Sequence, residues 1–320
     1  MSDKPMALVT GGAGFIGSHL VERLLADGEA VTVIDDCSTG NLRNLEPVAR
    51  HPDLRVLQST VSDCKELRRE TSKAASIYHL AAAVGVEMVV KSPVRTIRTN
   101  LHETEVLLEA AAESATPVLL ASTSEVYGKS AKPVFSEEDD LLIGPSHLGR
   151  WSYACSKLMD EFLAMAYARE KALPVTVARL FNTVGPRQTG RYGMVLPRFI
   201  ESARRNEPVR VFGNGTQSRC FCHVKDTVEA LVRLQRNPAA RGEVFNVGNS
   251  EEVTILELAE RVIHLLRSRS KIEFVPYDQA YAPGFEDMLR RKPRLEKLKK
   301  VTGFVPGTPL EVIIRDTAGL

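Results

Sequence analysis

The chain has 320 residues, 43% of them hydrophobic and 26% charged, so it can bury a large core as one big domain or two. A net charge of +2 implies no polyanion partner, which argues against nucleic acid. No run approaches the ~20 apolar residues of a membrane span, and the first apolar run leads straight into a glycine turn rather than a signal-peptide layout.

Met6-Ala-Leu-Val9 reads as a short strand, and Thr10-Gly-Gly-Ala-Gly-Phe-Ile-Gly17 follows it. Leu20, Val21, Leu24 and Leu25 then keep helical spacing. Gly11, Gly14 and Gly17, with Phe15 and Ile16 between them, have the spacing of a nucleotide-binding turn. Such a turn lets a pyrophosphate approach the backbone at a helix N-terminus, where free N–H groups and the dipole favour anions. Ala30-Val-Thr-Val-Ile34 is the next strand and ends at Asp35-Asp36. A carboxylate at Asp35 suits the adenosine ribose hydroxyls and repels a 2′-phosphate, which favours NAD over NADP. Arg43 lies close by in sequence.

Strands follow at Leu54–Gln58 and Ser76–Leu80, the second running into Ala81-Ala82-Ala83, small residues that let a ligand come close. Asn100 is read as the start of a helix through Val106, Leu107, Leu108 and Ala111.

The stretch from Ser122 to Lys157 carries the chemistry. Val118-Leu-Leu120 is a buried strand whose end presents Thr123, Ser124 and Glu125. Thr123 and Glu125 are two residues apart, so an extended strand end would point both to one side. Tyr153-Ala-Cys-Ser-Lys157 heads an amphipathic helix, and i, i+4 residues share a face. A phenol titrates near ~10, and an ammonium beside it would lower that value and make a proton acceptor for a sugar or alcohol hydroxyl. Tyr167 and Lys171 repeat the spacing, but Tyr167 lies about 21 Å further along at ~1.5 Å per residue, away from the strand ends where such sites form.

Pro174–Ala178 is a further strand leading to Arg179-Leu-Phe-Asn182. The alternation of strands and helices predicts an α/β protein of Rossmann type, a doubly wound parallel sheet over residues 1–180. From 181 to 320 a smaller α/β lobe is expected, with some segments returning to the first domain. It holds a glycine-rich loop at Gly185–Gly193, a helix at Pro197–Arg205 and strands at Val209, Val244–Val247 and Ile272–Val275. A helix spans Thr254–Leu266, and a basic tail begins at Arg290. Five cysteines, at 37, 64, 155, 220 and 222, fit a reducing, cytoplasmic setting. Cys220-Phe-Cys222 reads as strand packing, and no metal site is expected.

In order along the chain, Thr10–Gly17, His79-Leu-Ala-Ala82, Tyr153/Lys157 and Phe181-Asn182 through Arg187 resemble the extended short-chain dehydrogenase/reductase family. Within it, Thr123-Ser-Glu-Val-Tyr127 and Arg290-Arg-Lys-Pro293 look like the UDP-glucuronate decarboxylases. Gly144-Pro through Arg150-Trp-Ser-Tyr153 is similar to the bacterial branch serving lipid A modification. The resemblance implies NAD as cofactor, contacted by Gly11, Gly14, Phe15, Ile16, Gly17, Asp35, Asp36, Val61, Leu80, Ala81, Ala82, Asn100, Tyr153 and Lys157. It makes Thr123, Tyr153 and Lys157 a redox triad, and Glu125 and Arg291 the pair tied to CO₂ loss. Ser124, Glu125, Asn182, Arg187, Val195, Arg219 and Arg291 would line a UDP-sugar site.

Two positions depart from the family pattern. Thr60-Val61 stands where an Asp-Ile or Asp-Val pair usually holds adenine, and Cys220 where an acid often follows the arginine. The implied reaction gives UDP-xylose or releases a UDP-4-keto pentose. The alternatives are a UDP-sugar 4-epimerase, a 4,6-dehydratase, whose acid Ser124 cannot supply, and a silent NAD-binding scaffold. A homodimer is expected through the helices near 103–113 and 152–170.

Overall fold

A computed structural model describes residues 4–83, 92–190, 194–276, 279, 288 and 290–320. The first half alternates strand and helix: β1 (Met6–Thr10), α1 (Phe15–Ala26), β2 (Ala30–Ile34), β3 (Leu54–Leu57), α2 (Leu67–Lys73) and β4 (Ser76–His79). Then come α3 (Pro93–Ser114), β5 (Val118–Thr123), α4 (Ser152–Lys171) and β6 (Val175–Leu180). After two-residue β7 (Thr183–Val184) follow α5 (Val195–Arg205), β8 (Val209–Phe212), β9 (Ser218–Cys220), β10 (Cys222–His223) and α6 (Val224–Arg236). The chain ends with β11 (Glu243–Val247), β12 (Glu252–Thr254), α7 (Ile255–Leu265), β13 (Ile272–Val275), α8 (Glu296–Thr302) and α9 (Leu310–Ala318).

Seven strands form one parallel sheet in the order β11-β6-β5-β4-β1-β2-β3. Most of its strands are continuous apolar runs because helices cover both faces; Ala7, Leu8, Val9, Leu119, Leu120, Val175 and Val177 have no exposed surface. The order reverses between β1 and β4, and the crevice at the carboxyl ends there is where ligands bind in such sheets. The last strand, β11, comes from beyond residue 181 and completes the sheet's edge beside β6. A second core gathers α5, α7 and α9 with β8, around Leu196, Val209, Leu258 and Ile313.

Two boundaries differ from the sequence reading in a way that matters. The helix expected from Asn100 begins at Pro93, so Asn100 lies within α3 and faces inward. Proline is well tolerated in a first turn, where its missing N–H is no loss. At the end of β5 the chain does not stay extended: Ser124–Tyr127 coil into a 3₁₀ turn capped by Thr123, whose hydroxyl accepts from Glu125 N at 3.3 Å. Among the described residues no helix is long and apolar enough to cross a membrane.

Candidate active site

The crevice has a glycine wall. Gly11 sits at φ +72, and a Cβ there would lie 2.7 Å from the Ala81 amide at the end of β4. At Gly17 a Cβ would meet the Gly11 carbonyl at 2.1 Å, so helix and strand can touch only without side chains. Gly14 is the N-cap of α1, with no capping side chain and no acid in the first turn. The first N–H groups are therefore left for an anion. Phe15 and Ile16 pack partly into the core as the helix begins.

Asp35 ends β2 with one oxygen accepting from Ala13 N and the other from Cys37 N, both at 2.8 Å. Burial pushes its carboxyl up, and these two N–H groups act against the rise. Each oxygen keeps a lone pair for a ribose hydroxyl. Bare helix N-terminus, glycine cradle and acid together fit the pyrophosphate and adenosine ribose of NAD.

The other cofactor candidates separate. Asp36 is exposed and accepts from Ser38, away from the turn. Val61 is buried in the core with Leu8, Ile34 and Leu67, so its side chain packs the fold. Leu80, Ala81 and Ala82 are half-buried at the crevice edge. Asn100 is buried and works as a tie: its Oδ1 accepts from Ala83 N at 2.7 Å, and its Nδ2 donates to Ser156 Oγ at 3.0 Å. It fastens the end of β4 to the first turns of α4.

Tyr153 lies in that first turn and hydrogen-bonds the Thr123 hydroxyl. Lys157 is buried one turn on, but its Nζ donates to Asp160 Oδ2 at 2.8 Å. The expectation of a phenol lowered by Lys157 needs correction here. Burial first, then the negative charges of Glu125 and Asp160, push the Tyr153 phenol up, and the Thr123 bond only opposes this. The ammonium that should favour phenolate is shared with a carboxylate. Tyr167, at the far end of α4, has its phenol raised by burial and by Glu109 and Glu105, and it packs against the core around Leu107, Ala164 and Val175.

Beside Tyr153 and Thr123 is a cluster of charge. Arg150 Nη1 donates to Glu125 Oε2 at 2.5 Å, and Arg291 Nη1 to Glu125 Oε1 at 3.3 Å. Arg291 Nη2 also donates to Asn182 Oδ1 at 3.1 Å. Burial alone would lift the Glu125 carboxyl, but Arg150, Arg291 and the more distant Arg219 outweigh it and hold it below the usual range. The 3₁₀ turn, not strand alternation, is what brings Glu125 here. Ser124, one residue earlier, is buried with a hydroxyl that makes no hydrogen bond to the described residues.

The remaining diphosphate candidates do not all converge. Arg219 donates to its neighbour's carbonyl at Ser218 O and feels Glu125 electrostatically. Arg187, at φ 71, instead reaches α1, donating to Ser18 Oγ at 3.1 Å and Glu22 Oε1 at 2.5 Å. In this arrangement it straps the loop to the glycine-wall helix. Val195 starts α5 and packs into the lobe core. Cys220 and Cys222 are buried, and burial pushes both thiols up to about 12, which leaves them as packing.

Two residues are absent from the candidates drawn from the sequence. Arg150 sits just before Tyr153, and only its place in the 144–153 motif hinted at it. Asp160 lies three residues beyond Lys157 and has no exposed surface.

The family model described as the NAD dependent epimerase/dehydratase family matches residues 7–248. A UDP-N-acetyl-alpha-D-glucosaminuronate decarboxylase of Bacillus cytotoxicus is 39% identical, over 98% of this chain and 97% of that one. UDP-glucuronic acid decarboxylase 1 of Danio rerio is 36% identical, over 97% of this chain and 71% of the relative. Among solved structures, a UDP-glucuronic acid 4-epimerase of Bacillus cereus, in complex with UDP-glucuronic acid and NAD, superposes with a TM-score of 0.88. It shares 26% identity over 98% of each chain. With its Rossmann sheet, glycine turn and Tyr153/Lys157 pair, the chain belongs to the NAD dependent epimerase/dehydratase family, enzymes whose cofactor is NAD.

Proposed function

We propose that this enzyme is a UDP-glucuronate decarboxylase, forming UDP-xylose or releasing the UDP-4-keto pentose. The observation that carries the reading is Glu125 held between Arg150 and Arg291, next to Tyr153 and Thr123. Two guanidinium groups beside the redox pair provide forks for a hexuronate carboxylate. Decarboxylase relatives at 36–39% identity over nearly the whole chain support it.

Bound NAD supplies the acceptor and later the donor of the C4 hydride. Tyr153 takes the C4 hydroxyl proton, and Thr123 bonds the same oxygen. Oxidised at C4, the sugar is a β-keto acid, so the electron pair of the C5–C6 bond can flow into a C4–C5 enolate as CO₂ leaves. Tyr153 and Thr123 then face the enolate oxygen, where charge develops. Arg291 and Arg150 orient the carboxylate, whose charge disappears in the reaction, so a full grip would favour the ground state. Glu125 shares both arginines and weakens that grip. In this reading it also orients a water that protonates C5.

The test is incubation with UDP-glucuronate, following CO₂ and the sugar nucleotide. CO₂ with UDP-xylose or its 4-keto precursor is the expected result. A 4-epimer formed without CO₂ would return the epimerase reading, which the Bacillus cereus structure keeps in view. A second substrate, UDP-N-acetylglucosaminuronate, is favoured by the Bacillus cytotoxicus relative. Competition between the two hexuronates decides which has the higher kcat/KM.

For assembly we infer a homodimer through α3 and α4. Val94 on α3 is 69% exposed, and Met159 and Phe162 on α4 are 50% and 60% exposed. Among the described residues, these side chains leave an apolar side of α3 and α4 open to solvent. Light scattering of the wild type and Phe162→Glu checks it: a dimer that the charge splits is expected, and a monomeric wild type at micromolar concentration rejects it.

A further inference from the structure

Behind the redox pair runs a chain of buried polar groups that the chemistry above leaves unused. Asp160 Oδ2 accepts from Lys157 Nζ at 2.8 Å. Burial pushes the Asp160 carboxyl up; the Lys157 ammonium first, and then the Thr104 hydroxyl of α3 from the edge of hydrogen-bond geometry, act against that rise, and Asp160 Oδ1 has no well-aligned donor among the described residues. Thr104 Oγ1 lies 3.1 Å from His79 Nε2, and His79 Nδ1 lies 2.7 Å from Thr10 Oγ1. Thr10 Oγ1 also accepts from Ala81 N at 3.3 Å. With Thr104 turned to Asp160, its oxygen accepts from Nε2–H, and Nδ1 accepts from the Thr10 hydroxyl. Thr10, His79, Thr104, Lys157 and Asp160 are each at most 2% exposed. The ends of β1 and β4 are thus joined to the helix that carries the base.

We propose that Asp160 is a positioning residue for Tyr153: it clamps the Lys157 ammonium and sets how much positive charge reaches the phenol. The proposal rests on the reading of Tyr153 as the base. A bare buried ammonium one turn away would drive the phenol to phenolate. The carboxylate at i+3 cancels much of that field and fixes the ammonium in place.

The other charges around Tyr153 are accounted for element by element. From the turn after β5 comes Glu125, matched by Arg150 before α4 and Arg291 from the C-terminal segment. Arg219 of β9 adds to the positive side of that cluster. On α4 itself Glu161 is paired with Arg179 of β6. On β4, His79 is held neutral, its pKa pushed down to about 3 by burial and by the Lys157 charge. Asp160 therefore remains as the counter-charge to Lys157.

A merely structural Asp160 would neutralise a buried lysine and affect folding alone. The discriminating readout is the ionisation of Tyr153 in the NAD-bound enzyme, followed as tyrosinate absorbance and assigned by subtracting Tyr153→Phe. Asp160→Asn keeps the shape and removes the charge. Its phenol should titrate lower, by about one pH unit or more, and the acid limb of kcat/KM should move with it. Should that variant not fold, Thr104→Val loosens the carboxylate and should shift the midpoint the same way by less. An unchanged midpoint in the folded variant overturns the proposal. The titration needs no substrate, so a shifted phenol with no UDP-glucuronate turnover overturns only the substrate reading.

Discussion

The site has two halves built by different means. The redox half places Thr123, Tyr153, Lys157 and Asp160 on one strand end and one helix, and its spacings are those of regular structure. The carboxylate half gathers Glu125, Arg150, Asn182 and Arg291 from turns and loops, with partners up to 166 residues apart. Helix periodicity dictates the first arrangement, whereas only the completed fold creates the second. In the proposed reading, the redox half oxidises the sugar and the carboxylate half decides what happens next.

The largest effect is expected at the redox half. Tyr153→Phe removes the proton acceptor and should lower turnover by about 10²–10⁴-fold, with folding and NAD content intact. Turnover and bound-nicotinamide absorbance measure both. Near-normal turnover would move the base elsewhere, with Tyr167 the next residue to substitute.

The carboxylate half is separated by asking where the reaction stops. Arg291→Ala removes a fork that touches both Glu125 and Asn182, and Glu125→Gln removes the shared charge. NADH should still form on mixing with UDP-glucuronate, while CO₂ release falls steeply. Loss of a charged hydrogen bond of this kind is worth about 1.5–3 kcal/mol, roughly ten- to a hundredfold. Arg150→Lys should fall between these variants and the wild type, since lysine keeps the charge and loses the fork. Unimpaired CO₂ release in all three would dissolve the distinction between the halves.

The same contrast explains what the sequence disclosed. The strand–helix alternation, glycine turn, Asp35 and Tyr153/Lys157 were legible because each follows from local spacing. Glu125 was legible as a residue but not for the right reason: an extended strand end was assumed, and a 3₁₀ turn capped by Thr123 does the placing. Arg187 has the composition of a phosphate ligand, yet a loop residue at φ 71 directs it to Glu22 on α1. Asp160 could not be read from helix spacing alone, because burial on α4 depends on how α3 packs against it.

The smallest effect is a stability one, and it asks which half yields first to acid. His79 is buried neutral in the redox half, with its pKa taken from 6.5 to about 3 by burial and the Lys157 charge. Its folded value lies below the unfolded one, so the unfolded chain takes up the proton first. Stability from this group is fully present above pH 6.5 and declines as pH falls toward 3, by about 1.4 kcal/mol per pH unit. Glu125, in the carboxylate half, also has a lowered folded value. Its contribution is complete above its ordinary 4.5 and is lost only as pH drops through the lower native value. Acid should therefore loosen the redox half before it reaches the charge cluster. Chemical denaturation of the wild type and His79→Gln at pH 7 and pH 5 measures the first step. His19 and His223 are lowered mainly by burial too and stay in both proteins, so the difference in slope belongs to His79. The wild type should lose roughly 2 kcal/mol more than the variant over that interval. Equal slopes would mean that His79 is not held neutral, and the polar chain behind Tyr153 would lose its fixed order of donors and acceptors.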